Sequence, residues 1–280
     1  MDALTCAGPE RAVAGWRDRC RSGAAAVRSV RCLVGLRLRA ACGERLYLGA
    51  LGVVVGVVGA ERGLRGWVEA ADRWTLLVDV SMTAAGLAGV VLAVSVTVNA
   101  WFAEAVHGWG RGLLATTVGP VRWWVAHALA AGVLALALAA VSAFAVLAAS
   151  GSGELGPERL GRGGVAWGLF AVKLTAMTTL ALAGSAFCRS PSAATLSGAG
   201  VLLVGHLHPL MRVLAEGDGI GAPGWGLATA VIPDLTAFDV GAEWIAAGAG
   251  PGPNAFAGAG EVGIVLMWGL AAVGRISRRD

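Results

Sequence analysis

The chain has 280 residues, of which 56% are hydrophobic and only 14% charged, and its mean hydropathy is +0.70. Globular chains carry about 25% charged residues, so too few polar side chains remain to cover a water-facing surface. The composition excludes a soluble enzyme, a disordered chain and a nucleic-acid-binding domain, although the net charge is +4.

Residues 1–23 read as a disordered cytoplasmic tail. The first 45 residues hold nine arginines and no apolar run ending in a cleavage site, so no secretory signal peptide is expected. Residues 24–42 predict a helix lying along the membrane surface. Arg28, Arg31 and Arg39 share one face, Val27, Val30, Leu33, Val34 and Leu38 fill the rest, and Arg37 interrupts the apolar side. A basic amphipathic helix suits the cytoplasmic headgroup layer; a plain positively charged anchor fits the same residues.

Six apolar runs follow, each near the length a bilayer requires. They cover about 46–60, 75–101, 123–149, 164–187, 193–214 and 255–274. With both termini in the cytoplasm, fifteen Arg fall in inner segments and five in outer ones, with Lys173 and Arg212 inside spans. That asymmetry sets the orientation. The fold class is therefore an all-α membrane protein with six transmembrane helices, an N-terminal interfacial helix, and N-in, C-in topology. Residues 24–275 form one membrane domain, and 276–280 form a cytoplasmic tail in the cell (inner or plasma) membrane. Trp67, Trp74, Trp167, Trp225 and Trp244 are expected at the outer interface, and Trp101, Trp123, Trp124 and Trp268 at the inner one. The outer segment 215–254, rich in Gly and Pro, is expected to pack on the bundle mouth through Val231–Val240.

Catalytic chemistry finds little support. A phosphate-binding loop needs Gly-Lys, and the single lysine, Lys173, follows Val172. The four His and five Cys form no metal-ligand spacing, and the Cys are expected as free thiols. A Ser185–His206 protease pair is disfavoured, because the two lie at opposite depths of neighbouring spans. No cofactor is expected on this chain, and it is not read as an enzyme.

Ionisable residues within the spans are the sharper signal. Asp79, Lys173 and Glu261, with His206 and His208 nearby, fall in the outer half of the membrane. Such groups are costly in lipid and face a cavity or the bundle interior. They predict either a polar cluster on a translocation path, with Lys173 neutralised by Asp79 or Glu261, or a structural ion pair with snorkelling acids. Glycines recur along spans one, two and five (Gly49, Gly52, Gly56; Gly86, Gly89; Gly198, Gly200, Gly205) and permit close helix approach.

Between residues 76 and 124 a familiar order emerges. Leu76-Leu77-Val78-Asp79-Val80 opens a span that Trp101-Phe102-Ala103-Glu104 closes, and a short segment runs through Arg111 to Thr116-Thr117-Val118-Gly119-Pro120-Val121-Arg122-Trp123. Phe187-Cys188-Arg189-Ser190-Pro191-Ser192-Ala193-Ala194, Val204-Gly205-His206-Leu207 and Ile232-Pro233-Asp234-Leu235-Thr236-Ala237-Phe238 follow. This order resembles the permease subunits of type-2 ABC transporters, of the kind linked to multicopper-enzyme maturation. The resemblance spans roughly residues 25–275. It implies one half of an ATP-driven transporter, paired with a second permease subunit (homodimer or heterodimer); the largely apolar path with few charges points to an exporter. A separate ABC ATPase chain would bind ATP and Mg. It also implies that Glu104, Arg111, Pro120 and Arg122 couple the permease to that ATPase. Here the coupling loop reads His107-Gly108-Trp109-Gly110-Arg111-Gly112, where the family carries a charged, Glu-rich run. That departure keeps a second reading open, a non-transporting membrane scaffold or accessory subunit.

Overall fold

The computed structural model describes residues 24–43, 45–64, 73–98, 120–150, 156–217, 221–239 and 254–277, all helix or short connection, with no strand among them. The helices are α1 (Ala24–Gly43), α2 (Arg45–Leu64), α3 (Arg73–Val91, continuing as a π-helical Leu92–Val98), α4 (Pro120–Ala149) and α5 (Pro157–Ser185). They continue with α6 (Pro191–His206), α7 (His208–Glu216), α8 (Ala222–Val231) and α9 (Asn254–Ser277); a 3₁₀ turn, Leu235–Phe238, precedes α9. Among the described residues, three helical stretches are long and apolar enough to cross a membrane: Trp74–Val94, Arg122–Ala149 and Pro157–Ser185. A fourth is reached if α6 and α7 form one bent span. The predicted first span corresponds to a shorter apolar stretch, Tyr47–Ala60, within α2. The predicted last span is helical as α9. The tail 1–23 lies outside the described residues.

The apolar run 193–214 is not one straight helix. It breaks at Leu207, and α7 leaves α6 at 63°. Pro209 explains the break: it has no N–H for the helical ladder and restricts the residue before it.

Helix α5 is the centre of the molecule, touching α3, α4, α6, α9, the π-helical segment and the 3₁₀ turn. Pro157 starts it, with Glu158 in the first turn where the helix dipole favours an acid. From Lys173 onward it is almost wholly buried. Ser190 caps α6 by accepting from the Ala193 N–H at 3.2 Å, with Pro191 at the first helical position. That turn accounts for the Ser190-Pro191 motif.

Close approach fixes the register of α5 against its neighbours. A Cβ on Gly198 would sit 3.5 Å from Ala181, and one on Gly184 would sit 3.2 Å from Ser197 Oγ. These contacts make α5 and α6 antiparallel and bring His206 level with Lys173. Gly163 faces Trp74, and Gly89 faces Leu174, so α3 runs parallel to α5. The other span glycines do not share this role, because no atom lies within 4 Å of a Cβ placed on Gly49, Gly52, Gly56, Gly86 or Gly200. Between α3 and α4, the buried hydroxyls of Ser81 and Ser142 meet at 2.7 Å, a polar link of the kind that joins helices in apolar surroundings.

Three tryptophans expected in interfacial belts are instead buried in protein: Trp74, Trp123 and Trp124 are 3%, 3% and 6% exposed. Their rings fill space between helices, where a large aromatic contributes more contact area than any other side chain.

Candidate functional site

A cavity of about 800 Å³ opens between α3, α5 and α6, beneath the 3₁₀ turn. Its walls are mainly apolar, including Met82, Leu87, Phe170, Leu202, Leu203 and Phe238, and four ionisable residues reach it: Asp79, Lys173, His206 and Asp239. Phe170 is held edge-on against Trp167, ring centroids 5.7 Å apart.

Lys173 is buried, and its ammonium donates to both carboxylate oxygens of Asp239, at 2.6 and 2.8 Å. The partner expected from sequence was Asp79 or Glu261, and neither takes that place. Register explains why Asp79 does not. The contacts of α3 on α5 put Asp79 about six residues, roughly 9 Å, nearer the start of α5 than Lys173. Asp79 is exposed to the cavity, and no hydrogen bond or ion pair joins it to another described residue. Glu261 is engaged elsewhere, accepting from the Asp234 N–H at 2.8 Å.

That bond belongs to a second cluster, which holds the segment carrying Asp239. The Asp234 carboxylate caps the 3₁₀ turn, accepting from Thr236 N–H at 2.9 Å and Thr236 Oγ1 at 2.6 Å. Its other oxygen is 3.4 Å from His208 Nδ1. His208 Nε2 lies 3.1 Å from the Thr229 carbonyl, so Nε2 carries the proton of that bond. Gly205 lets the turn settle on α6: a Cβ there would meet Leu235 at 2.9 Å and the Pro233 carbonyl at 3.1 Å. Leu235 and Phe238 are buried, and Asp239 follows directly. Asp239 is thus a site residue that hydropathy assigns to an outer loop. The usable signal was the spacing of Leu235 and Phe238, an apolar pair one turn apart that anchors the next residue against the bundle.

His206 and His208 part company at the helix break. His206 lines the cavity, with Nδ1 2.8 Å from the Leu202 carbonyl. A carbonyl only accepts, so Nδ1 bears the hydrogen of that bond. Ser185 donates to its own helix at Leu182, 2.6 Å away.

Of the predicted coupling residues, Glu104 and Arg111 lie outside the described residues. Pro120 is the first residue of α4, and Arg122 is exposed in its first turn. Arg122 and Arg31 flank an apolar groove of about 530 Å³ between α1 and α4. Arg37, which interrupts the apolar side of α1, is half-buried, and burial pushes its guanidinium down to about 10, so it stays charged at neutral pH. Cys32 and Cys188 are free thiols.

Compared with protein-family models, curated proteins and solved structures, the chain matches none.

Proposed function

We propose that this chain is the permease subunit of an ATP-driven transporter of the type-2 ABC class, most consistent with an exporter. The observation that carries this reading is the cavity: three ionisable side chains on helices α3, α5 and α6, with Asp239 at the rim, around space large enough for a small molecule. Ionisable residues within membrane helices mark substrate and ion paths, and pockets of about 300–1,000 Å³ suit small molecules. The ordered motifs of residues 76–124, 187–194, 204–207 and 232–238 supply the family.

In this reading the chain crosses the cell membrane six times, with both termini in the cytoplasm and α1 along the inner headgroup layer. The α6–α7 pair serves as the bent fifth span. A second permease subunit completes the path, and a separate ATPase supplies hydrolysis. The exposed Arg122, with Glu104 and Arg111, contacts that ATPase.

The test is purification of the tagged full chain in mild detergent, with mass spectrometry and an ATPase assay. The expected result is a co-purifying ATPase, lost when Glu104, Arg111 and Arg122 are replaced together by Ala. Recovery of the chain alone, with no nucleotide hydrolysis above background, overturns the transporter reading in favour of a scaffold or accessory subunit.

A further inference from the structure

Among the described residues around the cavity, the charged side chains are unevenly matched. Lys173 is paired with Asp239 through two short bonds. His206 also lines the space, its Nδ1 held by the Leu202 carbonyl. Asp79 faces the cavity with no hydrogen bond or ion pair to another described residue.

An anionic guest would meet Asp79 and Asp239 with no unpaired lysine or arginine among the described lining residues to receive it. A neutral apolar guest would leave Asp79 desolvated without a partner, which is costly. A cation pairs with Asp79 and leaves the Lys173–Asp239 pair intact. The remaining wall is apolar, with the ring of Phe170 fixed by Trp167. An aromatic face adds attraction for a cation and contact for an apolar body.

We propose that the cavity binds a protonated lipophilic amine, its ammonium at Asp79 and its apolar body against Met82, Phe170, Leu202 and Phe238. That such amines are the cargo rests on the transporter reading; that they bind does not.

The full chain in phosphatidylcholine nanodiscs tests this, with radiolabelled propranolol, a secondary amine on a naphthyl body, as the probe. Naproxen, a naphthyl carboxylate, serves as competitor. We expect saturable binding at one site per chain, weakened about 30-fold or more in Asp79→Asn, as for loss of one partner of a desolvated charge pair. Asp79→Glu, which keeps the charge, should retain binding and controls for folding. Naproxen should not compete. Equal binding by wild type and Asp79→Asn, or competition by naproxen, overturns the proposal. Amine binding without any ATPase partner leaves the site standing and removes the transporter. An ATPase partner without amine binding does the reverse.

Discussion

The two halves of helix α5 use the same neighbours in opposite ways. Beyond Lys173, Leu174, Met177, Leu180 and Leu182 are fully buried, and Gly184 and Gly198 let α5 and α6 lie nearly backbone to backbone. At and before Lys173 the cavity separates α6 from α5, while α3 still packs on α5 through Trp74 against Gly163. The sides differ in what closes the gap. In the packed half small residues do so; in the open half the 3₁₀ turn covers the space and Asp239 reaches in from it. Close packing between α5 and α6 stops at the level where charge begins. A bundle built only from apolar contacts would have closed over this space, because an apolar void forfeits dispersion contacts along its whole lining.

The largest effect should come from the ion pair. Asp239→Asn leaves a buried ammonium without its counter-charge, and thermal unfolding in detergent should show a loss of roughly 2 kcal/mol, less than for a fully buried pair because the Asp239 side chain is half-exposed. Adding Lys173→Met should recover most of it; a double variant no better than the single one would mean that the charges do not hold the turn. Next come two glycines that look alike in sequence. Gly205→Ala presses on Leu235 and the Pro233 backbone and should cost about 1–2 kcal/mol. Gly198→Ala meets only ordinary contacts, and the better helix propensity of Ala should make it neutral or stabilising by up to about 1 kcal/mol. The same sign for both would erase the distinction between the packed half and the covered half. The smallest effect is Ser81→Ala, which removes the hydroxyl link to Ser142. Unfolding should report about 0.6 kcal/mol, the mean for interhelical hydrogen bonds in a membrane protein.

Much of this was legible in residue order. Long apolar runs located α3, α4 and α5, because length and hydropathy suffice for a membrane helix. Lys173 stood out as the single lysine, set within an apolar run. Its partner did not. Asp239 lies in a Gly- and Pro-rich connection, and partner choice depends on the register of α3 against α5, which Gly163 and Gly89 set through three-dimensional contacts. The break at Leu207 was signalled by Pro209 but masked by apolar residues on both sides. Tryptophan position along the chain suggested depth in the bilayer and said nothing about direction, so Trp74, Trp123 and Trp124 read as belts when they fill the interior.

The bend between α6 and α7 carries a further consequence for the surrounding lipid. Laid across a bilayer, α6 supplies 16 residues, about 24 Å of rise. At 63° to that axis, the nine residues of α7 advance only about 6 Å more, where a straight continuation would give about 14 Å. The pair then matches a hydrocarbon thickness of about 30 Å with nothing to spare. In the bent span proposed above, the only reserve of length beside the cavity is the joint at Leu207, which a thicker membrane would have to straighten.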